Sequence, residues 1–307
     1  MAADFIPLTP PFFLAGELAS LAAAFTWAGA VTVYRHWGRE ISSPTLNLFK
    51  CFVAFICLAV TLAIVRPSPP ADGSAVLGLM LSGVVGLAIG DTAFFSALRR
   101  LGAQATSCGW CLSPLFTVGF AMVYLGETLS AAKVAGVLTT TAGVAGVMYF
   151  GAQRDTPMAS LSRKALAEGI VYVLISAIAQ AFGLVIARHA FQRTGVIWGT
   201  FLRMTPALGI LALARRFNER RSDGLRSRRH VIALASAAFF GTFIGLLLLS
   251  TGTKYAKAGL VATLTSTFPL WVIPIARLFL KEPTTWPCIL STILAVAGIG
   301  LMLVPGA

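Results

Sequence analysis

Charged residues are scarce in this chain, and long polar stretches are scarcer still. Asp, Glu, Lys and Arg make up 11% of the 307 residues, whereas 57% are hydrophobic and the mean hydropathy is +0.83. Soluble globular domains carry about 25% charged residues. The composition therefore excludes an ordinary water-soluble protein and indicates a membrane protein.

Motifs for catalysis and metal binding are also missing. The sequence has no HExxH and no GxSxG motif, and the three histidines, His36, His189 and His230, lie at the ends of apolar runs or in loops. All five cysteines fall inside apolar runs, where disulfides and zinc sites are disfavoured. We therefore expect no enzyme activity, no catalytic residue, no metal site and no cofactor.

Apolar runs long enough to cross a bilayer, about 20 residues each, recur along the whole length. The first run has no basic segment before it and is too long for a cleavable signal, so we interpret it as a retained span. The short connectors leave no room for a soluble domain. The sequence thus predicts an all-α, multi-pass membrane protein with ten transmembrane helices, at 13–33, 44–65, 76–98, 104–125, 132–150, 166–187, 195–214, 231–253, 258–279 and 285–304.

The net charge of +13 does not indicate a nucleic-acid partner. The basic residues sit in loops between the spans and form no folded polar face. Most of them fall on the face opposite both termini, and the positive-inside rule places such a face in the cytoplasm. The charge pattern taken alone predicts termini outside the cytoplasm.

The second half of the chain repeats the first at a nearly fixed offset, which is the test for an internal duplication. Each half, 1–150 and 166–307, holds five predicted spans, and 151–165 links them. An odd number of spans makes the second half enter the membrane from the opposite face. Such an inverted-topology repeat is typical of secondary transporters with a midplane site. Pairs 153 residues apart are Arg35 with Arg188 and Lys50 with Arg203; pairs 155 apart include Gly86 with Gly241, Pro114 with Pro269 and Glu127 with Glu282.

Several segments carry a family resemblance that covers nearly the whole chain. "SPLFTVGFAMVYLGETLS", "TFPLWVIPIARLFLKEP", "AFTWAGAVTVYR" and "FLRMTPALGILALA" resemble spans of the EamA-type branch of the drug/metabolite transporter superfamily. The resemblance implies two five-helix units around a central cavity, in a multi-pass protein of the cell (inner) membrane. It also implies export of small metabolites, often amino acids, and termini in the cytoplasm, contrary to the charge pattern.

We single out five charged residues within predicted spans: Glu17, Lys50, Asp91, Glu168 and Arg203. Charges in a bilayer are costly and usually face a partner or a water-filled cavity. At a helical rise of about 1.5 Å per residue, Lys50, Asp91 and Glu168 share one level, and Arg203 and Glu17 share the corresponding level on the other side. The duplication predicts two acid–base clusters that bind substrate or couple its transport.

Simpler interpretations stand beside this one. Lys50 and Arg203 could extend their charged ends to the membrane interface, and Glu17 and Glu168 could simply match the dipoles of their helices. Asp91 is harder to explain this way, because its repeat partner is an apolar leucine. We interpret Asp91 as a candidate coupling group.

Two further groups of residues belong to the predicted site. Trp27 and its repeat partner Gln180 fall near the middle of their spans, and an amide facing lipid would be penalised, so both are predicted to face inward. Pro114, Pro269 and Pro274 each remove a helical hydrogen bond, which predicts hinges in the fourth and ninth spans.

Two functions fit these features. The first is a secondary active transporter that moves a small polar metabolite, an amino acid or another carboxylate-bearing compound, by alternating access, because two inward cations favour a carboxylate or phosphate. The alternative is proton-coupled efflux of lipophilic or quaternary-ammonium cations. The expected partners are a small-molecule substrate, the lipid bilayer and a proton or counter-substrate.

Overall fold

A computed structural model describes residues 15–125, 130–151, 161–217, 227–256, 261, 264–281 and 285–302. All regular structure in these ranges is helical. Three segments have the wider π-helical turn: π1 (Gly83–Gly90), π2 (Ala238–Ile244) and π3 (Ala276–Leu280). The α-helices are α1 (Ala15–Trp37), α2 (Ser43–Val65), α3 (Gly73–Ser82), α4 (Asp91–Leu101), α5 (Ala103–Trp110), α6 (Ser113–Leu125), α7 (Ala131–Gly151), α8 (Arg163–Phe191), α9 (Val196–Phe217), α10 (Arg228–Ala237), α11 (Gly245–Tyr255), α12 (Phe268–Ile275) and α13 (Trp286–Met302).

The described ranges contain six helical stretches that are long and apolar enough to cross a membrane: Ala15–Trp37, Ser43–Val65, Gly73–Leu101, Arg163–Phe191, Val196–Arg216 and Arg228–Tyr255. The prediction of an all-helical, multi-pass membrane protein is therefore confirmed. The other four predicted spans coincide with helices outside these six stretches, namely α5 with α6, α7, α12 with π3, and α13. The count of ten spans stays a prediction.

Neighbouring helices in the bundle run antiparallel. α1 packs along α11, with Gly16 against Ala256 at one end and Ala30 against Gly241 of π2 at the other. The stretch from α3 to α4 packs along α8 in the same way, with Gly78 against Ala190 at one end and Leu101 against Gly169 at the other. Between them, Ser82 Oγ donates to the Gly183 carbonyl oxygen at 2.7 Å. Small residues at these contacts allow the backbones to approach closely.

The helix pairs α2–α9 and α7–α13 are also antiparallel. Phe55 stacks on Phe201 with ring centroids 5.0 Å apart, and Trp198 Nε1 donates to the carbonyl oxygen of Pro67, just beyond the end of α2, at 2.9 Å. In the second pair, Gly143 faces Ala295, and Gly298 faces Thr140 and Gly136. The Thr140 hydroxyl donates to the Ala295 carbonyl oxygen at 3.2 Å.

The π-helical turns of π1 lie where α9 comes closest. A Cβ atom on Gly83 would overlap the carbonyl oxygen of Arg203, so only glycine allows this approach. Wider turns of this kind are frequent at functional sites. Asp91 is the first residue after π1, and 18% of its side chain is exposed.

The predicted proline-bearing spans are locally interrupted. α5 ends at Trp110 and α6 starts at Ser113, directly before Pro114. A matching turn at residues 266–267 precedes Pro269 in α12, and Pro274 near the end of α12 is followed by π3. The interruptions fit the loss of helical hydrogen bonds at proline, while a hinge motion at these points stays a prediction.

Candidate functional site

A cavity of about 100 Å³, measured as the space open to the centres of water molecules, lies in the middle of the bundle. Its walls come from α1, α2, π1, α4, α5, α8, α9, π2, α11 and α12. Apolar side chains cover most of the surface, and a few polar groups converge on it. The polar lining is Lys50, Asp91, Gln180, Arg203 and Thr242, and the aromatic lining is Trp27, Tyr34, Phe94, Phe95, Trp110 and Phe268.

Lys50 forms a buried ion pair with Asp91, Nζ to Oδ2. Only 5% of Lys50 is exposed, and its ammonium lies 5.7 Å from the centre of the Phe95 ring. Lys50 thus points into the bundle and does not extend along α2 to the interface. The pair is electrically neutral, which lowers the cost of holding both groups away from water.

Gln180 from α8 supplies the second hydrogen-bond donor to the Asp91 carboxylate. Its Nε2 donates to Asp91 Oδ1 at 2.6 Å and to the Gly86 carbonyl oxygen at 3.2 Å. Both carboxylate oxygens therefore have a donor, one from α2 and one from α8. This contact joins the two predicted halves of the chain through a single carboxylate.

Asn47 holds π1 in position one turn before Lys50. Its Nδ2 donates to the Leu87 carbonyl oxygen at 2.8 Å and to Thr92 Oγ1 at 2.8 Å. Residues three apart on a helix lie on the same face, so Asn47 and Lys50 both face π1 and α4. The amide fixes the turn from which Asp91 projects.

Arg203 from α9 is the most isolated cation of the cavity. It is 2% exposed, and its Nε has no hydrogen-bond partner among the residues that the structure describes. Its backbone packs on Gly83, and a Cβ atom on Gly86 would lie 3.6 Å from its Nη2. A buried guanidinium without a full set of acceptors is costly, and a carboxylate is the group whose geometry matches its donors.

Six aromatic rings form a continuous series around the cavity, which we call the aromatic belt. Edge-on contacts dominate the series, and this is a favourable geometry for aromatic pairs. The centroid distances are 5.9 Å for Trp27–Trp110, 6.1 Å for Trp110–Phe268, 6.4 Å for Phe94–Phe268, 6.1 Å for Phe94–Phe95 and 5.2 Å for Tyr34–Phe95.

A second, smaller cavity of about 30 Å³ adjoins the first. Five of the residues that line only this smaller cavity come from the interrupted spans and supply hydroxyl groups and a proline: Ser113, Pro114, Thr117, Thr265 and Ser266. Both cavities share the side chains of Trp27, Trp110, Gln180 and Arg203. The Trp27–Trp110 contact and Arg203 thus lie at the boundary between the two spaces.

Two of the predicted acids lie away from this site. Glu168 pairs with Arg100 at 3.1 Å, with 44% and 33% of the side chains exposed, and lies outside the lining of both cavities. Because α8 begins at Arg163, Glu168 falls beyond the first turn. Glu17 is half-buried in the first turn of α1, also outside both linings. The structure gathers Lys50, Asp91 and Arg203 around one cavity instead of two separate clusters.

Sequence reasoning missed much of the aromatic belt. Tyr34, Phe94, Phe95 and Phe268 gave no signal in runs already rich in apolar residues, and Trp110 was not predicted to belong to the site. Asn47 could have been found, because an amide one turn from a buried lysine shares its helix face.

An ion pair outside the spans joins two connecting segments. Asp72, the residue before α3, accepts hydrogen bonds from the Ser74 backbone at 2.9 Å and from Arg193 Nη1 at 2.9 Å. The Ser74 hydroxyl, the Arg193 guanidinium and the Ala75 backbone N–H together hold the pKa of Asp72 well below its usual range. Asp72 also caps the N-terminus of α3, where a negative charge is favoured.

Apolar spanning helices around a buried, charge-lined cavity define a membrane transport protein. The family model of the EamA-like transporters matches residues 14–149 and 167–304, so the chain belongs to the EamA-like transporter family. This membership confirms the resemblance seen in the sequence.

Relatives agree with this assignment. An uncharacterized transporter of Archaeoglobus fulgidus is 23% identical over 290 residues, which cover 94% of this chain and 98% of that protein. The uncharacterized transporter YvbV of Bacillus subtilis is 26% identical over 189 residues, covering 62% of this chain and 59% of that protein. A solved crystal structure is similar in fold, with a TM-score of 0.68 and 18% identity over 93% of this chain and 95% of that one.

Proposed function

We propose that this protein is a secondary active transporter of the cell inner membrane that exports a small polar metabolite bearing a carboxylate, such as an amino acid, by alternating access. The observation that carries the proposal is Arg203, which is buried, lines the central cavity and has an Nε without an acceptor among the described residues. A substrate carboxylate would supply the missing acceptor and charge.

The charges of the cavity favour an anionic group over a cationic one. Lys50 and Asp91 neutralise each other, so Arg203 leaves the lining with one surplus positive charge. A carboxylate that enters would be attracted to the guanidinium, whereas a cation would be repelled by it. The surplus charge is thus a physical reason for selectivity.

The proposal includes two inverted five-helix units, 1–150 and 166–307, joined by 151–165. Support comes from helices that are repeat partners and run antiparallel, α2 with α9 and α7 with α13. Site residues support it too: Nε1 of Trp27 would lie 2.6 Å from a Cβ on Gly245, and Nε2 of its repeat partner Gln180 would lie 3.4 Å from a Cβ on Gly90. Each partner contacts the corresponding glycine of the other half.

Asp91 is the proposed coupling group within this scheme. It holds Lys50 from α2 and Gln180 from α8. The Gln180 contact crosses between the two halves, so a proton or counter-substrate that weakens it would loosen one half from the other. The interrupted helices at Pro114 and Pro269, and Pro274 next to π3, are the proposed hinges. Rocking of one unit against the other is the motion that inverted repeats support.

The alternative function, efflux of lipophilic or quaternary-ammonium cations, draws on the aromatic lining, because aromatic rings attract cations. Asp91 is the acid that such a cation would need. However, both of its oxygens already accept donors, from Lys50 and Gln180. A cation would have to displace one of them while facing Arg203.

Counterflow in proteoliposomes tests the function. We expect saturable counterflow of carboxylate-bearing metabolites that Arg203→Gln abolishes and Arg203→Lys partly retains. Arg215→Gln, an exposed position on the same helix, is the matched control and should transport normally. If Arg203→Gln leaves carboxylate transport unchanged while Asp91→Asn abolishes transport of a quaternary amine, the cation hypothesis is correct and ours is wrong.

Orientation is decided by a separate measurement. The surplus of basic loops opposite the termini predicts external termini, and the family resemblance predicts cytoplasmic ones. A reporter that is active only in the cytoplasm, fused to the C-terminus, distinguishes the two. Reporter activity would support the cytoplasmic termini implied by the family resemblance.

A further inference from the structure

The proposed transporter function does not define the part of the substrate beyond its carboxylate. The charge, lining and size of the cavity indicate what that part, the body of the substrate, is. Charge permits one anionic group, because Arg203 is the lining cation that forms no ion pair within the described residues. A second negative charge would meet no further unpaired cation among the described residues of the lining. Dicarboxylates and phosphate dianions are therefore poor matches.

The rest of the wall is aromatic. Trp27 and Trp110 stand on the Arg203 side of the cavity, because these three also line the smaller cavity. Phe94, Phe95 and the rest of the aromatic belt continue the wall away from it. A flat apolar body can lie against such rings at favourable offset or edge-on angles, whereas hydroxyl groups of a sugar would lose their hydrogen bonds to water.

The hydroxyl of Thr242 and the amide of Gln180, which line the central cavity and could serve a hydroxylated substrate, are already engaged. The Thr242 hydroxyl lies 3.5 Å from the Tyr34 hydroxyl, and Gln180 donates to Asp91 and Gly86. A substrate rich in hydroxyls would have to break these contacts. An apolar body needs none of them.

The size of the cavity limits the apolar body to about one ring. A cavity of about 150 Å³ holds benzene in a protein core, and the central cavity, at about 100 Å³, is smaller than that. A substrate ring therefore requires lining side chains to rotate as it binds, and a larger apolar body would require more of them to move.

We propose that the substrate is an amphipathic monocarboxylate, with one carboxylate bound by Arg203 and one aromatic or similarly flat apolar ring held by the aromatic belt. This inference rests on the proposed function and narrows it to a chemical class. Aromatic amino acids and simple aromatic acids such as phenylpropionate both belong to it.

Competition between compounds for transport by the wild-type protein is the first test. The purified protein in proteoliposomes is given phenylpropionate, phenylalanine, alanine, lactate, succinate or a phenyl-substituted quaternary amine, and counterflow is measured for each. We expect the two ring carboxylates to compete at least about ten-fold better than alanine or lactate, and succinate and the amine to compete weakly. Phenylpropionate and phenylalanine differ by the ammonium group, so their ratio shows whether a zwitterion is preferred.

Removal of one ring is the second test. Phe268→Leu and Phe94→Leu should lower the apparent affinity for ring carboxylates by about five- to ten-fold, because each removes an aromatic contact, and should lower the affinity for alanine less. Phe120→Leu removes a ring that contacts Phe182 outside both cavities and should change neither.

The outcomes separate the two proposals. Arg203-dependent counterflow of alanine or lactate without preference for rings would overturn the aromatic-body inference and leave the transporter function standing. Binding of ring carboxylates, seen as Arg203-dependent thermal stabilisation of the detergent-solubilised protein, but no counterflow of any compound, would overturn the transporter function. Preference for the quaternary amine would overturn both.

Discussion

Gln180 Nε2 lies 2.6 Å from Asp91 Oδ1 and so ties α8 to the start of α4 across the middle of the bundle. The same nitrogen lies 3.2 Å from the Gly86 carbonyl oxygen of π1. One amide thus satisfies a buried carboxylate and a carbonyl at an irregular turn. The contact defines which elements must separate if the two units move.

Removal of the Gln180 amide tests its structural role. Gln180→Met keeps the volume but leaves Asp91 Oδ1 and the Gly86 carbonyl oxygen with one donor fewer, which should destabilise the protein by about 1–3 kcal/mol. Gln192→Met, at an exposed amide near the end of α8, should cost less than about 0.5 kcal/mol. Unfolding in detergent measures both; equal effects would show that the Gln180 contact does not stabilise the fold.

The buried ion pair is tested by a double-mutant cycle. Lys50→Met or Asp91→Leu alone leaves an unpaired buried charge and should destabilise the protein by about 3–5 kcal/mol. The double variant removes both charges and should recover most of that loss, since leucine already stands at the repeat partner of Asp91, Leu246. Additive single effects would contradict a direct pairing.

An exposed ion pair supplies the control for that cycle. Arg100 and Glu168 are partly exposed, with 33% and 44% of their side chains in contact with solvent. Arg100→Gln should therefore destabilise by no more than about 1 kcal/mol, because water screens such pairs. The same unfolding assay compares the two pairs.

Glycine at the contact between π1 and α9 is tested by alanine substitution. Gly83→Ala places a methyl group on the Arg203 backbone, and neither backbone can yield cheaply, so we expect a loss of at least about 2 kcal/mol. Gly209→Ala, on α9 itself, meets open space and should stabilise by about 0.5–1 kcal/mol. A neutral Gly83→Ala would show that π1 and α9 lie farther apart than described.

Asp72 predicts a pH dependence at the edge of the membrane. Its lowered pKa means that the folded state favours the carboxylate, so its contribution to stability is complete above the usual pKa of an aspartate, about 3.9, and is lost as pH falls through the lower folded value. The difference in melting temperature between wild type and Asp72→Asn should therefore be constant near neutral pH and shrink below about pH 4. Arg193→Gln should reduce that difference, as should salt at about 0.5 M. A difference that grows on acidification would contradict this sign.

Several residues of the candidate site were predictable from sequence, because charged residues are rare in membrane-spanning runs and are easily recognised there. Lys50, Asp91 and Arg203 stand out in apolar runs, where an ionised group needs a partner or a cavity. Gln180 was found through its repeat partner Trp27. All five line the central cavity. Glu17 and Glu168 stood out for the same reason and lie elsewhere, because depth along a helix does not determine the side to which a residue points.

Pairing could not be deduced in the same way. Spacing along α2 predicted the depth of Lys50 in the membrane. Whether Lys50 pairs with Asp91 or with Glu168, however, depends on how α2, α4 and α8 are rotated about their axes. π1 contributes to that rotation, since its wider turns redirect the residues that follow. No periodicity in the sequence predicts that the valines and glycines of π1 form a π-helical segment.

Apolar runs of spanning length and scarce charge determined by themselves that this chain is a helical membrane protein, because a backbone in lipid must satisfy its hydrogen bonds internally. Duplicated motifs in those runs also led to the EamA-like family. The tertiary structure alone decided that Lys50 is neutralised by Asp91, that Arg203 faces the cavity with an Nε that has no acceptor among the described residues, and that six rings line the space. These relations join residues from different helices, and helix rotation and close packing at glycines, which local sequence does not specify, bring them together.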